Sequence, residues 1–135
     1  TRALKVLGTP AYMAPERIES AASADPRSDI YALGAVGYYL LAGAPPFAAE
    51  NDLALAYQVV HKPPRPFGPE LNVPEELADL IFTCLAKDPA QRPQFATDVI
   101  EALDFVLLRF PWTPAAARAW WDAHDAAHAR LRAAA

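Results

Sequence analysis

The chain has 135 residues, 53% of them hydrophobic and 21% charged, with a formal net charge of −4. That is enough apolar material for one core and too little length for two full domains. An acidic balance with scattered arginines lacks the clustered positive charge of a nucleic-acid surface, so no nucleic-acid partner is expected.

In chain order, the first feature is Gly8–Glu16, GTPAYMAPE. Pro10 disfavours the helical conformation at Thr9, so Gly8 and Thr9 should be extended in a loop. Pro15 suits a first helical turn and Glu16 complements that turn's free amides, which predicts a short helix over Pro15–Glu19. The next helix is expected from about Asp29 to Ala42, capped by Ser28 or Asp29 and stopped by Gly43, Pro45 and Pro46. Its residues are apolar on every side, among them Ile30, Leu33, Val36, Tyr38, Tyr39, Leu40 and Leu41, which predicts burial. The uncharged run Ile30–Ala49 could also be read as a membrane span. The prolines, however, would end that helix near Ala44 at about 15 residues or roughly 22 Å, short of a hydrocarbon core of roughly 30 Å. A buried core helix is the better reading, and no membrane contact is expected of this segment.

Asp52 can cap a helix through His61 carrying Leu53, Ala56, Tyr57 and Val60 at helical spacing. A proline-rich loop, 62–72, follows. Pro74 with Glu75 and Glu76 opens a helix whose Leu77, Leu80, Ile81, Cys84 and Leu85 share a face, and another runs from about Phe95 to Arg109 with Val99, Ile100, Leu103 and Val106 inward. Pro111 interrupts the pattern, and Thr113 with Pro114 restarts it. The last helix sets Ala116, Trp120, Ala123, Ala127 and Leu131 along one stripe, which would pack on the preceding helices or meet another subunit through Trp120 and Trp121. The fold class is mainly α, with no strand and no internal repeat.

Cys84 is the sole cysteine and falls on an apolar helix face, so a reduced, cytoplasmic interior is the simplest expectation. His124 and His128 are four apart, a spacing suited to two metal ligands, but no third ligand is near in sequence and no metal is expected. Gly34 and Gly37 lie inside the apolar helix, where they suit close packing better than phosphate binding. No basic start precedes an apolar run, and Thr1 is not an initiator methionine, so the chain is expected to come from a longer one.

Three segments together carry a resemblance. GTPAYMAPE resembles the end of the activation segment of a serine/threonine protein kinase, of the bacterial type. DPRSDIYALGAVGYYLLAGAPPF, Asp25–Phe47, is similar to the central helix of the kinase C-terminal lobe with its flanking loops. CLAKDPAQRP, Cys84–Pro93, is similar to the segment between that lobe's last two helices. The likeness spans about Gly8–Leu108, so residues 1–110 are read as part of a protein kinase domain and 111–135 as a helical extension beyond it.

The resemblance implies roles for particular residues. Gly8, Thr9, Pro10 and Tyr12 would form the substrate-binding loop, with Thr9 bonded to the catalytic aspartate and lysine. Pro10 and Tyr12 would shape the pocket for the residue after the phosphoacceptor. Glu16 would pair with Arg92, an arginine fork gripping a carboxylate. Asp29 would hold the catalytic loop by its backbone amides, and Thr1 falls where activation-loop phosphorylation occurs. Phosphoryl transfer also needs a glycine-rich cover, a phosphate-binding lysine, a magnesium-binding aspartate and a catalytic loop, and no GxGxxG, VAIK, HRD or DFG sequence occurs in these 135 residues. Pro66-Phe67-Gly68 lacks the aspartate. The N-terminal lobe and catalytic loop are thus absent, ATP and Mg2+ would belong to the full-length kinase, and the 135 residues are expected to be inactive alone. The alternative is a non-catalytic remnant lobe that binds proteins. With its covering segments absent, the central helix is expected to expose an apolar patch and drive association.

Overall fold

A computed structural model describes residues 10–20 and 25–133, with side chains described as far as 125. The described residues form helices and loops, with no strand among them. The chain divides into two compact units, the first ending at Leu103 and the second beginning at Asp104.

A 3-10 turn, Pro10–Tyr12, leads into α1, Pro15–Glu19, where proline occupies the start and Glu16 the first turn as the sequence predicts. Helix α2, Arg27–Ala42, begins two residues before the expected Asp29. Neither Ser28 nor Asp29 caps it. Pro26 is the N-cap, and Asp25 before it accepts from the Arg27 amide at 2.9 Å through Oδ1 while its carboxylate also holds the Arg27 guanidinium at 2.7 Å. The Ser28 hydroxyl is unavailable because it donates to Glu16. At the other end Gly43 adopts φ 72°, the left-handed conformation glycine permits, and its amide closes on the Tyr39 carbonyl at 2.8 Å.

One side of α2 builds the core. Tyr31, Ala35 and Tyr38 are buried with Phe47, Val59, Ile81 and Leu85, while Ile30 joins Leu80, Cys84 and Val99 in a second cluster. The partner helix is α4, Glu75–Cys84. Its approach depends on glycine: a Cβ at Gly34 would lie 2.6 Å from the Cys84 Cβ, and one at Gly37 would strike the Ile81 side chain. The other side of α2 is wet. Leu33, Val36, Tyr39 and Leu40 are exposed, Leu40 by 75%, so the expectation of burial all round holds for half the helix only.

Helix α3, Asp52–His61, is capped by Asn51, whose Oδ1 accepts from the Ala54 amide at 2.9 Å; Asp52, the expected cap, is already inside the helix. Its buried face is Val59 with Leu55, whereas Leu53 and Tyr57 point to solvent. In α5, Ala96–Arg109, Val99 and Val106 are buried, and Ile100 and Leu103 are exposed against expectation. Helix α4 buries Leu80, Ile81 and Cys84 as predicted, followed by Leu85. The last helix, α6, Pro114–Ala133, starts where Thr113 Oγ1 accepts from the Ala116 amide. Trp120 and Trp121 are about half exposed, and the Trp120 ring stacks on His124 at 4.7 Å. No helix among the described residues is long and apolar enough to cross a membrane.

Candidate functional site

The site is anchored by a charge pair. Arg92 sits after a short 3-10 turn, Pro89–Gln91, in the loop between α4 and α5, and only 3% of it is exposed. Its Nη1 and Nη2 donate to Glu16 Oε1 and Oε2, both at 2.8 Å, a two-pronged grip across 76 residues of sequence. The other three N–H groups are also used. Nε donates to the Ala86 carbonyl at 2.8 Å, Nη1 to the Arg27 carbonyl at 2.9 Å and Nη2 to the Lys87 carbonyl at 3.0 Å. All five donors of a buried guanidinium are thereby satisfied, which is the condition for burying that charge at acceptable cost. The guanidinium also lies 5.0 Å from the Tyr31 ring centroid.

Glu16 accepts a further hydrogen bond from Ser28 Oγ at 2.6 Å. Partial burial by itself would raise its pKa, but the hydrogen bonds from Arg92 and Ser28 and the arginine's charge prevail and hold it at about 2. The carboxylate is therefore ionised at neutral pH. The pair ties α1, the start of α2 and the 86–92 loop at one point. Gln94 extends the network, accepting from Arg27 Nη1 at 2.9 Å and donating to the Arg92 carbonyl.

Above this anchor the Pro10–Tyr12 turn lies on α2 and α3. Tyr12 meets Tyr39 edge to face with ring centroids 6.4 Å apart. A groove of about 370 Å3 opens beside the turn, lined by Tyr12, Met13, Ala14, Arg17, Ser28, Asp29 and Ala32. Asp29 is exposed there, and its side chain caps nothing. Of the residues singled out from sequence, Tyr12 and Asp29 line this groove, Pro10 begins the turn beside it, and Glu16 joins Arg92 to Ser28, which lines the same groove. Gly8, Thr9 and Thr1 lie outside the described residues. Sequence reading missed Ser28 as a partner of Glu16. Its place ahead of an apolar run made it read as a helix cap, and nothing in the spacing distinguishes the two uses.

No group of three or more His, Cys, Asp or Glu side chains able to hold a metal occurs among the described residues, and Asp29 is the lone carboxylate lining the groove.

A helical lobe whose activation-segment end is fixed to its base by a carboxylate–guanidinium pair is the lower lobe of a protein kinase. The family model for the protein kinase domain matches residues 1–103, and the chain belongs to that family. Three bacterial relatives illustrate the likeness. It is 45% identical over 97 residues to the DNA damage-responsive serine/threonine-protein kinase RqkA of Deinococcus radiodurans, covering 70% of this chain and 14% of that protein. It is 37% identical over 102 residues to serine/threonine-protein kinase A of Synechocystis, covering 74% and 19%, and 38% identical over 100 residues to serine/threonine-protein kinase PknB of Mycolicibacterium smegmatis, covering 73% and 16%. The chain spans between a seventh and a fifth of the length of these relatives.

Proposed function

We propose that these 135 residues supply the substrate-docking loop and the C-terminal-lobe scaffold of a serine/threonine protein kinase that moves the γ-phosphate of ATP to protein serine or threonine. The observation that carries the reading is the Glu16–Arg92 pair. It fixes the Pro10–Glu16 segment to the lobe's base, so that a peptide laid along the groove beside Tyr12 meets a surface held in one position. In this reading Gly8, Thr9, Pro10 and Tyr12 contact the peptide, Asp29 receives the backbone of the catalytic loop, and Thr1 takes an activating phosphate. ATP and Mg2+ are held by the rest of the kinase, whose N-terminal lobe and catalytic loop are this segment's intramolecular partners. The chain alone transfers no phosphate and binds no nucleotide. Its setting is the cytoplasm, with neither nucleic acid nor membrane as a partner of this segment.

Two assays test this. The isolated chain, given Mg-ATP and a generic protein substrate, should leave the substrate unlabelled; labelling above background contradicts the reading. In the kinase that contains the segment, Tyr12→Ala should raise the KM for a serine peptide far more than it lowers kcat. An unchanged KM would remove the docking role and favour a remnant lobe that serves as an interaction module.

A further inference from the structure

Helix α6 carries a charge pattern that complements itself. Arg118, Trp121, Asp122, His124 and Asp125 are all exposed. Arg118 and Asp125 are seven residues apart, so they leave the helix in nearly the same direction but about 10 Å apart along it, too far to pair with each other. Neither makes an ion pair among the described residues, and Asp122, one turn from Arg118, makes none with it. Between the two charges stands an ordered aromatic group. The Trp120 and Trp121 rings meet edge to face at 4.8 Å, Trp120 stacks on His124, and the Trp121 ring lies 6.2 Å from that imidazole and nearly perpendicular to it. Rings that brace one another in the free chain lose little freedom when they bind.

We propose that α6 is a self-association surface: two copies of this chain pair through it in antiparallel orientation, Trp121 of each against His124 of the other and Arg118 of each against Asp125 of the other. The register follows from heptad spacing. With Trp121 and His124 in the seam, Arg118 and Asp125 occupy the same flanking position in successive heptads. When the second helix runs the opposite way, each flanking position meets its equivalent on the other copy. The layer that sets Trp121 on His124 therefore also sets Arg118 beside Asp125, and a two-fold axis repeats both contacts.

The other orientation lacks this match. A parallel pair would place Arg118 opposite Thr113 and Asp125 opposite Trp120, which leaves both charges of each copy without partners. Antiparallel pairing removes apolar ring surface from water, since Trp120 and Trp121 are about half exposed on the single chain. The charges on the flanks stay close to solvent, so they select orientation and partner more than they add affinity. Helix α6 has 20 residues, about 30 Å of length, and a contact of that size makes a weak dimer.

Sedimentation equilibrium of the full 135-residue chain tests the pairing. The wild type should dimerise, and Arg118→Asp and Asp125→Arg should each weaken dimerisation about tenfold, because both flanking contacts become like-charged. An equimolar mixture of those two variants should associate as tightly as the wild type, since every altered charge then faces its opposite. Asp122→Arg makes the same change of charge one step further round the helix, away from the seam, and should leave dimerisation within about twofold of the wild type. A monomeric wild type, single variants that dimerise normally, or a mixture no tighter than the single variants overturns the proposal. So does an Asp122→Arg loss equal to that of Asp125→Arg, which would reduce the effect to net charge. Helix α6 lies outside the residues matched to the kinase family, and no readout involves phosphotransfer, so the test is independent of the function proposed above.

Discussion

Two parts of the first unit reverse the usual distribution of charge and grease. At the base, the Arg92 guanidinium is buried and every one of its donors has a partner. On the outer side of α2, Leu33, Val36, Tyr39 and Leu40 stand in solvent on a helix that carries no charge after Asp29. The buried charge is fully paired, whereas the apolar face is exposed. A polar group is costly inside only when a partner is missing, and an apolar group is costly outside whenever nothing covers it. The base is thus fully partnered, and the outer face of α2 is exposed apolar surface.

The largest effect should come from opening the base. Arg92→Ala strands a partly buried carboxylate and three carbonyls, and should cost about 3–5 kcal/mol in urea unfolding. A loss below about 1 kcal/mol would make the pair a surface contact in energetic terms. The same pair can be broken by acid. The Glu16 pKa is lower folded, at about 2, than its ordinary 4.5, so its stabilisation is full above pH 4.5 and fades as pH falls towards 2. Thermal melting from pH 6 to pH 2 should show a steeper decline for the wild type than for Glu16→Gln. Asp25, held at about 2 by hydrogen bonds to Arg27, adds to the wild-type slope and remains in the variant, so the difference between the two curves is the quantity to read.

A smaller effect is expected where α2 meets α4. Gly34→Ala places a methyl against Cys84 and should cost about 1–3 kcal/mol, because the obstacle is a Cβ rather than the end of a flexible side chain. The outer face should respond least in stability and most in association. Leu40→Gln should change unfolding by no more than about 0.5 kcal/mol while reducing concentration-dependent self-association in sedimentation. If Leu40→Gln unfolds the chain, that face is part of the core and the contrast fails.

Much of this architecture is legible in the sequence, for reasons that differ by element. Proline and glycine punctuate α1, α2 and α6 sharply, because Pro15, Pro114 and Gly43 each permit one local conformation that their neighbours resist. The α4 stripe reads correctly because polar residues fill its other face. On α3 and α5 apolar residues occupy several faces, so spacing cannot choose among them; Leu53 and Tyr57 compete with Val59 and Leu55 for the inward face, and Ile100 reads as inward yet is exposed. The role of Ser28 at the start of α2 is not legible, because it serves Glu16 twelve residues back, a long-range partner that no local rule contains. Resemblance to kinases points to the Glu16–Arg92 partnership.

The central claim is that Glu16 and Arg92 act as one unit. A double-mutant cycle with Glu16→Gln and Arg92→Gln, read by urea unfolding at low protein concentration, measures that coupling directly. A coupling energy of about 2–3 kcal/mol is predicted; single-variant losses that add to within about 0.5 kcal/mol would contradict it.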